Sequence, residues 1–279
     1  MFLTSLCLQN VNVTNKLLKS FLSNCPQLER LHVVNSKTLT KLNVSGSSLS
    51  LKHLHISLCY RIKHITVSAP NLVSFEYFGM KSRLRLRYAP QLRNVFYGSQ
   101  YHHRVTYGLH RISSFLCQLV TLKIRLSMDW GEYKLPKFPE LSCLRHLTYE
   151  VWVVDGKNLL GLTSLIEASP ALQKFKLECV LTEAGGKREV QKVEGYPNKN
   201  LKEVEVVGFL GGTSDTELII YLLESAFNLE KLVIDPCPLS WRGTPWEFVE
   251  TEQKQRARRS ALQFRKTQAN KGSVEFVIL

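Results

Sequence analysis

The sequence predicts an α/β fold: a right-handed leucine-rich-repeat solenoid of horseshoe type. Three observations carry this expectation. A motif Leu-x-x-Leu-x-φ, with φ apolar, occurs ten times between Leu3 and Ile234, at steps of 20 to 29 residues. That step is the length of one leucine-rich coil, and one coil cannot bury its own apolar face, so neighbours must stack. Between Leu28 and Tyr97 a second copy falls halfway round the coil, at Leu39-Leu42-Val44 and Ile62-Ile65-Val67, and more weakly at Leu84-Leu86. The early coils are therefore expected to be mostly β, with an extended return side, and the later, longer coils to carry convex helices.

The elements follow in order. Strands are expected at Leu3-Leu6-Leu8, Leu28-Leu31-Val33, Leu51-Leu54-Ile56, Leu72-Phe75-Tyr77 and Leu92-Val95-Tyr97, then at Leu119-Leu122-Ile124 and Leu144-Leu147-Tyr149. Leu172-Phe175-Leu177, Leu201-Val204-Val206 and Leu229-Leu232-Ile234 complete the series. Thr14-Asn15 ahead of Leu17, Leu18, Phe21 and Leu22 reads as a capped amphipathic helix ending before Pro26. Helices are also expected over Leu159–Ala168 and over Glu217–Phe227, the latter behind a Thr213-Ser214-Asp215 cap. The polar, glycine-containing segment Glu183–Asn200 reads as a surface loop. Thr244-x-x-Glu247, with Pro245 between them, is a capping-box signature for a helix running to about residue 268. Val274–Leu279 then reads as a closing strand. Residues 1–243 are thus expected to form a solenoid of about ten coils, and 244–279 a helix-and-strand cap on the same domain. Since Leu3 already belongs to a coil, the chain is expected to start in mid-array.

Composition narrows the function classes. Apolar residues make up 44% and charged residues 22%, which suits a folded soluble protein and argues against global disorder. No stretch approaches the ~20 apolar residues of a membrane span, so no membrane partner is expected. The seven cysteines are widely spaced, without a C-x-x-C pair. Cys59 and Cys237 fall where leucine-rich coils place a small buried side chain; buried thiols in a reducing compartment, cytoplasm or nucleus, are the expectation. The sequence lacks G-x-S-x-G, P-loop, G-x-G-x-x-G and H-E-x-x-H signatures, so neither enzymatic activity nor a cofactor is expected.

The charge is one-sided. Residues 1–140 hold 19 Lys and Arg against 5 Asp and Glu, whereas residues 141–279 hold 18 of each. Between Glu76 and Asp129 lie nine basic residues and no carboxylate. Such a face favours an acidic partner surface, a phosphate or nucleic acid.

Several phrases resemble one plant family. They are Cys25-Pro26-Gln27-Leu28-Glu29-Arg30-Leu31, Ala69-Pro70-Asn71-Leu72-Val73-Ser74-Phe75-Glu76-Tyr77, Asn200-Leu201-Lys202-Glu203-Val204, and the Arg256-Ala257-Arg258-Arg259 helix leading to Val274–Leu279. Together they resemble the repeat region and C-terminal tail of plant F-box/leucine-rich-repeat proteins. That resemblance implies a module recruiting a protein substrate for a cullin-type ubiquitin ligase. An F-box, which in that family precedes the repeats and docks on a Skp-type adaptor, is absent from this sequence. A Skp-type adaptor is thus expected as a partner only if an F-box is supplied elsewhere. A stand-alone or truncated paralogue without a ligase role, or a basic nucleic-acid-binding solenoid, is the alternative.

The candidate binding residues come from strand phase. The residue between the last two apolar positions of each motif points away from the core, and neighbouring coils stack these residues about 4.8 Å apart. One ladder then reads His32, His55, Glu76, Phe96, and the half-coil ladder reads Asn43, Thr66, Arg85. These are either solvated strand residues or a binding face. His32, His55 and Glu76, with His53, can be drawn as a metal site, but exposed strand histidines are commonly unliganded and no metal is expected. Arg83, Arg85 and Arg87 alternate with Leu84, Leu86 and Tyr88, placing three guanidiniums on one face. Such a row needs solvent or anions, and Arg93, Arg104 and Arg111 are its candidate neighbours. Aromatics set among basic residues in an RNP-like strand are lacking, which argues against nucleic acid. Lys254–Arg259 reads either as a basic face of the capping helix or as a nuclear-import patch.

Overall fold

The computed structural model describes residues 3–46, 48–80, 82–99, 109, 112–128, 135–153, 159–181, 195–267 and 274–279. The chain divides into two compact units, Met1–Arg125 and Leu126–Leu279.

The strands of the first unit are β1 (Ser5–Gln9), β2 (Arg30–Val34), β3 (Lys41–Ser45), β4 (His53–Ser57), β5 (His64–Ser68), β6 (Ser74–Gly79), β7 (Arg83–Tyr88), β8 (Asn94–Ser99) and the first part of β9 (Thr121–Met128), which continues past Arg125. Helices α1 (Asn15–Asn24) and α2 (Ser113–Leu116) accompany them. Two parallel sheets result: β1-β2-β4-β6-β8-β9, and β3-β5-β7. Leu31, Val33, Leu54, Ile56, Phe75 and Tyr77 are buried beneath the first sheet; Leu42, Val44, Ile65, Val67 and Leu84 are buried beneath the second. Alternation with period two explains why one motif per half-coil suffices for both. In α1, the Thr14 hydroxyl accepts from Leu17 N at 3.3 Å, and Leu18 and Leu22 turn inward.

Strands β1, β2 and β4 of the longer sheet end in the same backbone device. Asn10, Asn35 and Leu58 have φ of 57°, 53° and 57°, and each donates its N–H to the neighbouring strand at 2.9 Å. The device recurs in the second unit at Gly208, where φ is 77°. A Cβ there would lie 2.2 Å from the Cys179 carbonyl oxygen, so only glycine fits.

The second unit contains β10 (His146–Val153), α3 (Ser164–Glu167), β11 (Lys174–Leu181), β12 (Glu203–Val207), α4 (Thr213–Ser225), β13 (Lys231–Asp235), α5 (Glu252–Thr267) and β14 (Glu275–Ile278). Its strands run parallel in the order β10-β11-β12-β13-β14. The closing strand pairs as the sequence suggests, with Lys231 opposite Glu275.

The helical expectations need correction. Residues 159–168 form a 3-10 turn, Leu159–Leu162, and the single turn α3. Helix α4 starts at Thr213 rather than Glu217. Asp215 is fully buried: its carboxylate accepts from Leu210 N, Gly211 N and Thr216 N at 2.8–3.0 Å. The capping box at Thr244–Glu247 opens only a 3-10 turn, Pro245–Phe248, and α5 begins at Glu252. Buried Lys254 supplies the reason: its ammonium donates to the carbonyls of Trp246, Glu247 and Val249 at 3.4, 2.8 and 2.9 Å. Carbonyls aimed at a lysine cannot continue a helical ladder.

Two further readings change. Most of the loop expected over 183–200 lies outside the described residues; at its described end Tyr196, Pro197, Lys199 and Asn200 are exposed as expected, whereas Asn198 is buried and binds Ser169 O, Asn200 N and Leu201 N. Of the cysteines, Cys25, Cys59 and Cys179 are buried, whereas Cys7, Cys117 and Cys143 are exposed and Cys237 is half-exposed. Cys59 holds the expected position, its thiol accepting from Ser36 N at 3.4 Å. At Cys237 the backbone N–H, not the side chain, makes the fixing bond, to Asp235.

Candidate functional site

Strand pairing aligns the first ladder in register: His32 opposite His55, His55 opposite Glu76, and Glu76 opposite Phe96. All four are half-buried on the outer face of the longer sheet. His55 Nδ1 lies 2.7 Å from Glu76 Oε2, and the His32 and His55 rings are 5.3 Å apart. The hydrogen bond from His55 holds the Glu76 carboxyl below its ordinary value. Burial, with help from the neighbouring His55, lowers the His32 imidazole. These three groups thus form an internally paired row.

Farther along the same face lies a cluster that sequence reasoning missed apart from Phe96. The Arg125 guanidinium sits 4.6 Å from the Phe78 ring centroid and 5.6 Å from that of Phe96, and the Lys123 ammonium is 5.9 Å from Phe96. Gly98 makes room for it, because a Cβ there would meet Phe78 at 2.8 Å and Arg125 at 2.9 Å. The signal was available: Phe78, Gly98 and Arg125 share the strand phase of Val34 and Ser57.

The half-coil ladder also holds its register, Asn43 opposite Thr66 and Thr66 opposite Arg85. Arg83, Arg85 and Arg87 are all exposed, and with Lys41, Asn43, His64 and Thr66 they line one open basin of about 390 Å³. The alternation breaks at the end of the row. Ser68 pairs with Tyr88, skipping Arg87, so Tyr88 is 58% exposed instead of buried. Arg93 is not brought to this basin; its guanidinium turns to the carbonyls of Pro90 and Leu92. Lys81, Arg104, Arg111 and His102-His103 lie outside the described residues. Lys41 and His64 are the additions that sequence reading overlooked, since neither lies in an arginine run.

Charge separates the units sharply. Residues 1–125 carry seventeen Lys and Arg against two carboxylates, Glu29 and Glu76. Glu29 is held by Lys52 at 2.7 Å and Glu76 by His55. On the outer face of the second unit the corresponding positions neutralise one another. Lys174 meets Glu203 at 2.7 Å, Lys231 meets Glu275 at 3.6 Å, and Lys176 meets Glu205 at 3.0 Å and Glu178 at 3.2 Å. Burial works against the Lys176 charge, but Glu205 and Glu178 outweigh it and hold the ammonium above its ordinary value. The basic run on α5 is largely engaged as well: Lys254 is buried, Arg256 pairs with Glu252, and Arg258 with Glu250. No helix among the described residues is long and apolar enough to cross a membrane.

The family model described as "At1g61320/AtMIF1, LRR domain" matches residues 1–268. The F-box protein At3g62230 of Arabidopsis thaliana is 23% identical over 244 residues, covering 78% of this chain and 51% of that protein. The F-box/LRR-repeat protein At2g42730 of the same plant is 37% identical over 79 residues, covering 28% of this chain and 17% of its own length. The chain therefore spans about half the length of the first of these relatives.

Proposed function

Because the chain belongs to the family of the At1g61320/AtMIF1 leucine-rich-repeat domain, we propose that it is a protein-recruiting module without chemistry of its own, whose first unit grips an acidic surface. The observation that carries this reading is the imbalance of seventeen cations over two already engaged carboxylates, confined to one unit. A neighbouring unit of the same fold neutralises its own ladder, so the imbalance is not a property of stacked coils as such. Charge of one sign on a surface attracts the opposite sign and sets orientation during encounter. The names of the relatives, F-box proteins, support the finer reading that the recruited protein is a substrate of a cullin-type ubiquitin ligase. In that reading a Skp-type adaptor is engaged through an F-box supplied beside these repeats, and the module works in cytoplasm or nucleus.

The test is affinity purification from plant cells with the wild-type chain and with Arg83→Glu/Arg85→Glu/Arg87→Glu, read by mass spectrometry. The expected result is one set of partners lost in the triple variant while its unfolding midpoint is kept. Co-recovery of adaptor and cullin subunits would support the ligase role; partners retained undiminished by the triple variant would remove the basic face from the mechanism.

A further inference from the structure

The charge in the basin of the three-stranded sheet is arranged in a line. Its rungs read Lys41, His64, Arg83, then Asn43, Thr66, Arg85, then Ser45, Ser68 and the Arg87–Tyr88 bulge. Only β7 carries a cation at every outward position; β3 adds Lys41 and β5 the imidazole of His64, in the same first rung, and otherwise these strands offer the neutral donors Asn43, Thr66, Ser45 and Ser68. Along a strand, outward residues repeat every 6.6 to 6.8 Å or so, whereas rungs are spaced by about 4.8 Å. An anion matching this pattern is extended, runs along β7, and carries charge at the two-residue repeat of a polypeptide strand. Beyond the last guanidinium, exposed Tyr88 ends the row with an apolar contact.

Resting on the recruiting role proposed above, we infer that this basin is a docking site for an extended acidic segment of a partner protein, with carboxylates on alternate residues and an apolar residue after the last. Alternate carboxylates on one face of the segment meet Arg83, Arg85 and Arg87 in turn, each able to accept a forked pair of N–H bonds. The intervening side chains face solvent. A nucleic-acid strand fits less well, because bases need stacking platforms and, among the described residues, Tyr88 at the far end is the sole phenolic or benzyl ring beside this row.

Two peptides of one composition make the test: Asp-Ser-Asp-Ser-Asp-Leu and Ser-Asp-Asp-Asp-Ser-Leu, fluorescently labelled and titrated with the full chain by anisotropy. The alternating peptide should bind about tenfold tighter or more, and Arg85→Ala should weaken it by about tenfold, the loss of one charge-assisted contact. Arg256→Ala, on α5 of the second unit, should leave it unchanged. Equal affinity for the two peptides, binding of neither, or tighter binding of a six-nucleotide oligothymidylate would each overturn the inference. The recruiting role is judged separately: should the peptides fail while Arg83→Glu/Arg85→Glu/Arg87→Glu still loses its protein partners, only the extended-segment docking falls.

Discussion

The side-chain amide of Asn35 donates to Oδ1 of Asn10 at 2.8 Å, joining two residues that both sit in the left-handed backbone region. Asparagine tolerates that region better than other non-glycine residues, and here its amide also bridges one coil to the next. One coil further the same position is Leu58, at φ 57° and without an amide. Leu58→Asn should relieve the strain and lengthen the ladder, raising stability by about 1 kcal/mol. Denaturant midpoints check this against Leu58→Ala, which keeps the strained φ and should not stabilise. Equal destabilisation by both would show that backbone strain at this turn carries no energy.

Lys254 satisfies three carbonyls of the turn before α5 and lies 5.4 Å from the Trp241 ring. Lys254→Met keeps the stem and removes the cation, leaving those carbonyls to find other donors. The expected cost is about 2–4 kcal/mol, with faster proteolysis between Leu239 and Glu252. A variant that melts and digests like wild type would mean that the ammonium is dispensable.

Burial pushes the Asp215 carboxyl up to about 6, although four backbone N–H groups, those of Leu210, Gly211, Thr216 and Asp215 itself, oppose the shift. The folded state then holds this proton at a pH where the unfolded chain has lost it. The sign follows: stability from this group is fully present below about pH 4 and is lost as pH rises to about 6, roughly 3 kcal/mol in all. Asp215→Asn should flatten that segment of the stability–pH curve. A stability–pH curve that falls between pH 4 and 6 by the same amount in wild type and variant would assign the effect to other groups.

Glu76 shows the opposite sign. Its carboxyl is lowered, first by the His55 hydrogen bond, so its contribution is present above the unfolded value and lost as pH falls through the folded one. Both side chains are partly exposed, 27% and 44%, so the coupling should be small. A His55→Gln/Glu76→Gln double-mutant cycle near pH 6 should give about 0.5–1 kcal/mol. No measurable coupling would make this pair a contact without energetic consequence.

Much of the fold was legible because burial on a parallel strand obeys a period that the chain repeats. Leu31, Leu54 and Phe75 stand at corresponding positions and are all buried. Even the faint Leu84-Leu86 copy became a full strand, since β5 offered it a partner. Phase also aligned His32, His55, Glu76 and Phe96. What stayed hidden were polar groups whose partners come from elsewhere. Asp215 reads as part of a helix cap until it is seen to gather the N–H groups of Leu210 and Gly211. Lys254 reads as one more surface cation until Trp246, Glu247 and Val249 turn their carbonyls to it. The basin shows the same limit: the arginine row was visible on one strand, but Lys41 and His64 join it only across two register steps.

The contrast between a self-neutralised sheet face and a cationic one makes the two halves respond in opposite directions to ionic strength. Sodium chloride shortens the reach of exposed charges to about 8 Å at 0.15 M and about 3 Å at 1 M. In residues 1–125 the crowded cations then push less against one another, and the half tightens. In β10–β13 the same ions weaken Lys174–Glu203 and Lys176–Glu205. A brine that protects the amides of one half from solvent exchange thereby loosens those of the other, within a single polypeptide.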